Sequence, residues 1–311
     1  MRLLVITARY PTRGRPAAGV FVRERLGDPG VHAVVVGPSR YDRPGWWRYL
    51  SIAWRALTAK GPFDGVEGHF VLPSGPIALV AARLRGKPLV VYAHGRDVRE
   101  IAWRSPIHRW LARRVLKGAD AVVTNAAGTA ELVERLGATA EIVAPGIDLS
   151  RFEVVARPEN RTVLYLGGDL PHKGIDIARQ LADVLLGPGL REVAPGEIPE
   201  LLATHDVLLI PSREEPFGLV AAEAAAAGRW VVARRVGGLA EIVREGETGT
   251  LVDRDEGFAA ALDAVPDYEP SAIAATARRF SLDGHRAGMA AIWARVLDAR
   301  QRSAGRSGDR G

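Results

Sequence analysis

Short apolar, β-branched runs alternate with longer segments of helical periodicity along the chain. In the first half, these runs predict strands at residues 3–7, 33–37, 65–67, 88–92 and 121–124. The segments between them carry apolar residues at the 3.6-residue spacing of amphipathic helices. Strands that alternate with helices in this way are typical of a parallel sheet with crossover connections.

The same pattern restarts after residue 160. It predicts strands at 162–166, 207–210 and 230–233, and helices at 175–186 and 219–227. We therefore predict an α/β protein of two doubly wound, Rossmann-like domains in series. The periodicity lapses near 152–160, after the turn signal Pro145-Gly146, and this places the domains at 1–155 and 156–285. A C-terminal helix is expected over 286–302, followed by a disordered tail of Gly, Ser and Arg at 303–311.

Composition narrows the class of protein. With 311 residues, 47% of them hydrophobic and 25% charged, the chain is typical of a globular protein with room for two cores. It has no cysteine, which excludes disulfides, a thiol nucleophile and Cys-ligated metal. No apolar run reaches the roughly eighteen residues of a spanning helix, and residues 3–7 are too few for a secretory signal. We expect a cytoplasmic protein.

Charge is distributed unevenly. Residues 1–149 carry 22 Lys and Arg against 12 Asp and Glu, whereas residues 150–311 carry 20 against 24. A basic half suits nucleic acid, an anionic membrane or an acidic substrate. Because no nucleic-acid motif and no contiguous basic run is present, we expect no nucleic-acid partner.

Five of the seven tryptophans lie between residues 46 and 110, interleaved with basic residues at helical spacing. This pattern suits insertion at an anionic bilayer interface on the inner face of the membrane, where the first domain would reach a lipid-linked acceptor. Packing in a core, or lining of an acceptor groove, explains the same pattern equally well. Both interpretations stay open.

A candidate anion site follows the strand at 207–210. Pro216 suits the start of a helix but not its interior, so the alanine-rich helix is expected to begin at Phe217 or Gly218. The amides of Gly218, Leu219 and Val220 then point out of the helix N-terminus. Unpaired N–H groups and the helix dipole both favour phosphate at such an end.

Two carboxylates flank this anion site. Glu215 and Glu223 would lie roughly 12 Å apart if the whole stretch were helical, at about 1.5 Å per residue. That is about the length of a nucleotide sugar from hexose to ribose. Carboxylates accept hydrogen bonds from vicinal hydroxyls, so one Glu could hold the sugar and the other the ribose. The glycine loop at 167–168 ends in Lys173, which supplies a cation for the diphosphate between them.

These residues resemble the retaining glycosyltransferases of family 4, which have the GT-B fold of two facing Rossmann-like domains. The resemblance covers nearly the whole chain. In the first half it is carried by Tyr10-Pro11 with Gly19, by His94-Gly95-Arg96-Asp97 and by Gly146-Ile147-Asp148; in the second half it is carried by Lys173-Gly174, Glu215-Pro216-Phe217-Gly218, Glu223 and Gly237-Gly238. In GT-B proteins a C-terminal helix returns to the first domain, and we expect the same here.

The resemblance implies roles for the matching positions. Glu215 would hold the donor sugar and Glu223 the ribose, while His94 would reach the sugar near the anomeric centre. Gly19 would close on the phosphates from the opposite domain. The remaining donor-binding positions that it implies are Gly167, Gly168, Lys173, Phe217, Gly218, Leu219 and Val220.

The resemblance also implies the chemistry. A hexose would pass from a UDP-, GDP- or similar nucleotide sugar to a hydroxyl acceptor, lipid-linked or a cell-envelope glycan, by front-face displacement with retention. The leaving phosphate would help to deprotonate the acceptor. No cofactor and no metal is expected, because Lys173 and the helix amides stabilise the leaving diphosphate and no Asp-x-Asp pair is suited to holding a cation.

Two departures leave alternatives open. Gly168 stands where the family often has an arginine, and Arg213 or another basic residue could compensate for that loss. Residues 185–200 are short where the family has a strand, a helix and a strand near the nucleotide base. A binding protein with an impaired donor site is one alternative. A GT-B epimerase that eliminates the nucleotide is the other, although it would lack the pairing of Glu215 and Glu223.

Overall fold

The computed structural model describes residues 1–12, 19, 22–23, 26, 30–38 and 45–308, with side chains to residue 303. The chain forms two compact units, one of Met1–Ala144 with His285–Gly311 and one of Pro145–Gly284. Both are built on parallel sheets, which confirms the predicted α/β class. The division lies at the Pro145-Gly146 turn itself, earlier than the boundary we placed at 155. The reason is that Ile147 already pairs with the second unit, through its N–H to the carbonyl of Phe280 at 2.8 Å.

A six-stranded parallel sheet forms the centre of the first unit, in the order β2-β1-β3-β4-β5-β6. Its strands are mostly buried, as expected where helices cover both faces of a parallel sheet. The strands are β1 (Arg2–Thr7), β2 (His32–Val36), β3 (Gly65–His69), β4 (Leu89–Ala93), β5 (Ala121–Thr124) and β6 (Glu141–Ile142). The edge strand β6 was not predicted; it has only two residues, both exposed, so it carries no buried apolar run.

From residue 45 to residue 144, the α-helices of the first unit are α1 (Gly45–Thr58), α2 (Gly75–Leu84), α3 (Arg96–Arg99), α4 (Pro106–Gly118) and α5 (Ala127–Arg135). Helices α1, α2 and α4 lie side by side on one face of the sheet. Ile52, Ala78 and Val115 from these three helices share one core cluster with Leu4 and Val91 of the strands.

The second unit has a five-stranded parallel sheet in the order β11-β10-β9-β7-β8. Its strands are β7 (Val163–Tyr165), β8 (Val184–Leu185), β9 (Val207–Ile210), β10 (Trp230–Arg234) and β11 (Gly249–Val252). Its α-helices are α6 (Ile175–Leu181), α7 (Ile198–Thr204), α8 (Leu219–Ala226), α9 (Leu239–Ile242), α10 (Gly257–Asp263) and α11 (Pro270–Thr276).

The predicted end of one helix in this unit was wrong. The helix expected over 175–186 ends at Leu181, where Ala182 turns the backbone to an extended conformation. Asp183 then pairs with Val163, both through its own N–H and through its carboxylate, which accepts from the Val163 N–H at 2.7 Å. The residues that follow join the sheet as the edge strand β8.

The chain returns to the first unit in α12 (Leu282–Gly308). Met289, Ile292 and Trp293 pack with Leu3 and Val5 on the sheet face opposite α1, α2 and α4. This confirms the expected return of a C-terminal helix. It is longer than predicted: its backbone continues to Gly308, so residues 303–308 are helical where we expected disorder, and residues 309–311 lie outside the described part of the chain.

Candidate active site

Tyr165 shapes the glycine loop that follows β7. Its hydroxyl donates to the carbonyl of Gly168 at 2.9 Å and lies 3.3 Å from the carbonyl of Lys173. A Cβ on Gly167 would lie only 2.3 Å from the same hydroxyl, so that position has to be glycine. Burial raises the pKa of Tyr165 to about 12, which keeps the hydroxyl protonated as a donor. Sequence reasoning missed this residue, although a tyrosine at the end of a buried strand needs a partner for its hydroxyl.

Lys173 and Glu215, predicted from separate motifs, meet in the second unit. The Nζ of Lys173 lies 2.5 Å from Oε2 of Glu215. Both side chains are largely shielded, with 25% and 15% of their surface exposed. The Lys173 ammonium, which suits phosphate, and the Glu215 carboxylate, which suits sugar hydroxyls, are therefore in direct contact.

Helix α8 begins beside this pair. Gly218 precedes it with φ at +100°, a conformation that favours glycine, and Leu219 is its first residue. The helix thus begins one residue after Gly218, as predicted to within a residue. The amides of Leu219 and Val220 lie in the first turn, where N–H groups have no acceptor within the helix.

The Gly237-Gly238 turn packs against residues 215–217, which precede α8. The N–H of Gly238 donates to the carbonyl of Glu215 at 3.1 Å, and a Cβ on Gly238 would lie 2.3 Å from the carbonyl oxygen of Phe217. The ring of Phe217 packs edge-on against Phe280, with 5.8 Å between centroids. The Phe217 side chain is therefore part of the packing that fixes the turn.

Glu223 lies on α8 and is 7% exposed. Residues 215–218 are not helical, so the separation of roughly 12 Å that assumed a continuous helix from Glu215 to Glu223 does not apply. The two carboxylates sit on different kinds of backbone. Glu215 belongs to a loop held by Gly238, whereas Glu223 is fixed by the helix.

The two departures from the family pattern are parts of one arrangement. The N–H of Gly168 donates to the carbonyl of Leu186 at 3.0 Å, and the N–H of Asp169 donates to that of Pro188 at 2.7 Å. Gly168 has φ at +73°, and a Cβ there would lie 2.5 Å from the Pro188 carbonyl oxygen. The short segment after β8 occupies the space into which a side chain at 168 would project. An arginine does not fit there.

Arg213 takes part in a network of ion pairs beside the glycine loop. Its guanidinium holds both carboxylate oxygens of Asp176, at 2.7 and 2.8 Å, and approaches Asp255 at 3.3 Å. Its hydrogen bonds lower the pKa of Asp176 to about 2, and Asp176 in turn raises the pKa of Arg213. Arg213 does reach the loop that ends in Lys173: its guanidinium donates to the carbonyl of Pro171 at 2.8 Å, and its N–H donates to that of His172 at 2.9 Å. A contact of Arg213 with diphosphate stays a prediction.

Two aspartates near β11 form an Asp-x-Asp sequence, and both are ion-paired with arginines. Asp253 contacts Arg235 at 3.1 Å, while Asp255 contacts Arg213 and Arg234. Within the described ranges, no group of three or more His, Asp and Glu side chains is placed to hold a metal ion.

In the first unit, His94 stands at the end of a buried chain of polar side chains. Its Nε2 lies 3.0 Å from Nδ1 of His69, and Nε2 of His69 lies 2.7 Å from Oε1 of Glu67. The indole N–H of Trp293 donates to Oε2 of Glu67 at 3.2 Å. Glu67 and His69 are at most 1% exposed. We call Glu67, His69 and His94 the polar relay.

The carboxylate sets the proton positions in the relay. Glu67 accepts from Nε2–H of His69, so a neutral His69 presents a lone pair at Nδ1, and that lone pair accepts from Nε2–H of His94. Tyr92 stacks on the His94 ring at 4.6 Å between centroids. Sequence reasoning found only His94. The signal for the others was present: Glu67 and His69 are polar residues in a central strand that is otherwise apolar.

Asp97 fixes the backbone of His94. Its carboxylate accepts from the N–H of Val71 at 2.6 Å and from the N–H of His94 at 3.1 Å. Despite these bonds, complete burial raises the pKa of Asp97 to about 6. The neighbouring Phe70 has φ at +74°, an uncommon backbone conformation for a residue with a side chain.

Gly19 is buried against Arg9. Its φ is +70°, and a Cβ there would lie 2.4 Å from the Arg9 carbonyl oxygen, so a close backbone approach requires glycine. Most of the loop around it, residues 13–18 and 20–21, lies outside the described residues. The predicted contact of Gly19 with phosphate stays a prediction.

Two family models match consecutive parts of the chain. The model described as "Glycosyl transferase 4-like domain" matches residues 1–146, and the model described as "Glycosyl transferases group 1" matches residues 147–266. The two matches meet where the structure divides the chain into its units.

Curated relatives agree with these matches. A D-inositol 3-phosphate glycosyltransferase 1 from Catenulispora acidiphila is 30% identical over 306 residues, covering 78% of this chain and 72% of the relative. A D-inositol 3-phosphate glycosyltransferase from Rhodococcus opacus is 30% identical over 279 residues, covering 70% of this chain. The chain spans 62% of the length of this second relative.

Solved structures show the fold. HepE from Anabaena in complex with UDP-glucose has a TM-score of 0.69 at 18% identity, covering 94% of this chain and 99% of that one. Sucrose-phosphate synthase from Thermosynechococcus elongatus has a TM-score of 0.75 at 18% identity, covering 96% and 99%. The predicted GT-B fold is confirmed.

Proposed function

The chain belongs to family 4 of the glycosyltransferases, and we propose that it moves a hexose from a nucleotide diphosphate sugar to a hydroxyl acceptor, with retention of anomeric configuration. The observation that carries this proposal is the contact between Lys173 and Glu215 at the start of α8. An ammonium, a carboxylate and helix amides at one point match the charges and hydroxyls of a sugar diphosphate.

Donor binding exchanges the partners of this ion pair. A diphosphate oxygen takes the Lys173 ammonium, and the amides of Leu219 and Val220 bind a second oxygen. Glu215 then accepts from sugar hydroxyls and Glu223 from the ribose. The Lys173 ammonium thus changes its partner from the Glu215 carboxylate to the leaving diphosphate, where negative charge grows during the reaction.

The transfer step itself is a displacement on one face of the sugar. The bond from the anomeric carbon to the diphosphate oxygen breaks, and the acceptor oxygen bonds to the same face of that carbon. The acceptor proton passes to the departing phosphate oxygen. Lys173 and the helix amides stabilise the diphosphate without a metal, so Glu215 positions the sugar and forms no covalent bond to it.

His94 contacts the transferred sugar in this proposal, and Glu67 and His69 are positioning residues. The relay keeps Nε2–H of His94 directed at His69, so the opposite edge of the ring, with Nδ1, is presented in a fixed orientation. Restricting one ring to one orientation is how buried carboxylates support catalytic histidines.

A nucleotide-sugar panel tests the proposal. The full chain is incubated with UDP-, GDP- and ADP-hexoses, with and without crude lipid and glycan acceptors, and free nucleotide diphosphate and product are measured. We expect diphosphate release that depends on acceptor, and proton NMR of the product should show the anomeric configuration of the donor. Inverted product would contradict retention, and loss of transfer in EDTA would contradict metal independence.

Gly168 supports a second candidate function, that of a binding protein that does not transfer sugar. A donor loop that has no arginine and no room for one binds diphosphate with one cation fewer, as in a binding protein with an impaired donor site. Nucleotide-sugar binding without turnover would favour it. Epimerised sugar with free nucleotide would instead identify the GT-B epimerase alternative.

A further inference from the structure

Three adjacent helices of the first unit expose large apolar side chains on their outer side. On α1 and α4, core residues such as Ile52 and Val115 face the sheet, and the exposed residues lie on the opposite side of each helix. We call this surface the tryptophan face; it consists of Trp46, Trp47 and Trp54 on α1, Leu84 on α2, and Ile107 and Trp110 on α4.

The exposure of these side chains is large. Trp54 is 71% exposed, Leu84 73% and Trp110 59%. Because α1 packs against α2 and α2 packs against α4, the six residues belong to one layer of adjacent helices. Several large exposed apolar side chains on one layer are typical of binding sites for proteins or membranes, because leaving them in water is unfavourable.

The charge of the same helices selects the partner. Helices α1, α2 and α4 contain no Asp or Glu, and their basic residues are Arg48, Arg55, Arg83, Arg109, Arg113, Arg114 and Lys117. Guanidinium groups lie directly beside the rings: Arg114 is 6.0 Å from the centroid of Trp110, and Arg109 is 5.3 Å from that of Trp103. The nearby Glu100 is neutralised by Arg96 and Arg104.

We propose that the tryptophan face docks on the surface of a bilayer that contains anionic lipids. Indole rings settle at the level of the headgroups, where one edge is apolar and the other is hydrated, and arginines beside them bind lipid phosphates. Docking is peripheral, since no helix in the described residues is both long and apolar enough to cross the membrane.

A second copy of the chain fits this surface less well. A twofold interface would place the same basic helices against each other, and like charges disfavour such a contact. An acidic bilayer satisfies the apolar and the basic components together. The inference concerns binding alone and holds whatever sugar the site transfers.

Vesicle sedimentation tests the proposal. The full chain should sediment with vesicles of phosphatidylglycerol and phosphatidylcholine at low salt, and far less with pure phosphatidylcholine or at high salt. The double variant Trp54→Ser with Trp110→Ser should lower the partition coefficient roughly 100-fold, because two exposed rings no longer enter the interface. Arg113→Ser with Arg114→Ser should lower it about 25-fold at low salt.

A matched pair of arginines controls for net charge. Arg254 and Arg278 are exposed and belong to the second unit, so Arg254→Ser with Arg278→Ser removes the same charge without changing any residue of the face. We expect vesicle binding to change less than about twofold, since neither arginine belongs to the surface proposed to contact the lipid. Circular dichroism melting confirms that each variant is folded.

Three results would overturn the inference. One is equal binding to neutral and anionic vesicles. Another is equal weakening by the control pair, which would mean that net charge alone drives adsorption. The third is self-association without lipid that the tryptophan variant abolishes, which would assign the face to a second copy of the chain.

Discussion

At the scale of single residues, the ion pair of Lys173 and Glu215 would make the proposed binding of diphosphate a competition between phosphate and carboxylate for one ammonium. A phosphate oxygen has to take the ammonium from a carboxylate 2.5 Å away. The two partners therefore affect binding in opposite directions. Removing the lysine removes an attraction for the diphosphate, whereas neutralising Glu215 removes a competitor.

Variants of the two residues should therefore change diphosphate affinity in opposite directions. Lys173→Met should weaken binding of the nucleoside diphosphate roughly 10- to 100-fold, the value of one charge-assisted hydrogen bond. Glu215→Gln should bind the diphosphate as tightly as the native chain or more tightly, yet lose transfer, because the sugar contact is weakened. Isothermal titration calorimetry with UDP and GDP, together with the transfer assay, measures both.

Arg179→Met is the matched control. Arg179 is a cation on α6 that pairs with Asp169 on the protein surface. Its loss should leave diphosphate affinity nearly unchanged. If Glu215→Gln weakened diphosphate binding as much as Lys173→Met, the two residues would not compete as proposed.

The polar relay predicts an effect without direct contact. Glu67→Gln keeps the size of the side chain but cannot hold the proton of His69 Nε2 as strongly, so the rings of His69 and His94 lose their fixed tautomers. We expect kcat to fall roughly 10- to 100-fold, as for other residues that orient a reacting group, with little change in the KM for donor. The pH profile of kcat should also change shape.

A purely structural role for Glu67 would give a different result. In that case the melting temperature would fall, KM and kcat would change together, and the pH profile would keep its shape. Thr129→Ala, a change at another buried polar residue of the first unit, serves as the control for general loosening of its core.

Asp97 gives the stability of the protein a pH dependence of known sign. Its pKa is raised from 3.8 to about 6 in the folded chain, so the folded state holds a proton more tightly than the unfolded state. The free energy of unfolding should therefore fall as pH rises from about 4 through 6, by up to about 3 kcal/mol from this group.

Asp97→Asn isolates that contribution. The amide offers one oxygen to the two backbone N–H groups of Val71 and His94, so the variant is less stable at pH 4. The difference in unfolding free energy between the two proteins should shrink as pH rises to 7, because the ionised, buried Asp97 destabilises the native chain at that pH. Urea unfolding at several pH values measures the difference; a deficit that does not depend on pH would mean that Asp97 is ionised throughout.

Sequence reasoning could select candidate residues that stand in a local motif. Glu215, Lys173 and His94 were found because the residues next to them in sequence carry the signal. Tyr165 and Glu67 were not found, since their roles depend on folding: the Tyr165 hydroxyl points back at its own loop, and Glu67 receives a hydrogen bond from Trp293, far away in sequence.

At the scale of elements, the glycine loop after β7 and the short segment after β8 depend on each other. Gly168→Ala should destabilise the second unit by roughly 2–4 kcal/mol, from about 1–2 for the left-handed backbone and the rest from the clash with Pro188. Urea unfolding followed by circular dichroism measures this. Nucleoside diphosphate affinity should fall with it, because the loop carries Lys173.

Gly86→Ala separates strain from clash. Gly86 also has positive φ, at +61°, but a Cβ there meets no atom within 4 Å. Its substitution should cost only the backbone term, about 1–2 kcal/mol. Equal losses for the two variants would show that the segment after β8 yields to a side chain at 168.

The helices and strands differ in how well their bounds follow from sequence. Periodicity located β9 and the start of α8, because a buried apolar run and a Pro-x-Gly turn mark them. It failed after Leu181, where Val184 and Leu185 fit a helix and a strand equally well. The decision there comes from Asp183, whose carboxylate bonds to Val163 on a neighbouring strand, and no local pattern reports such a partner.

At the scale of the whole molecule, Trp293 connects α12 with the sheet and the relay of the first unit. A Cβ on Gly65 would lie 2.3 Å from its ring, so β3 leaves room for this one indole. Trp293→Ala should cost about 3–5 kcal/mol of stability, as for other buried aromatic side chains. Hydrogen exchange should quicken in peptides of β1, β3 and β4 and stay unchanged in peptides of β9 and β10.

Trp54→Ala is the control, since that side chain is exposed and its loss should change stability by less than about 0.5 kcal/mol. Trp293→Phe adds a second distinction: it retains most of the packing but not the indole N–H. If Trp293→Phe left transfer intact while Glu67→Gln abolished it, the hydrogen bond of Trp293 would contribute nothing to the relay.

The return of α12 to the first unit also bears on how the protein is made. Residues 145–284 have to leave the ribosome before Met289, Ile292 and Trp293 become available to cover Leu3 and Val5. During that time the apolar residues on one face of the first sheet stay exposed to solvent, although the second unit is already complete and can fold. The second unit is therefore complete before the first unit, although the first unit begins the chain. Until then, chaperones that bind nascent chains have a defined apolar surface to cover.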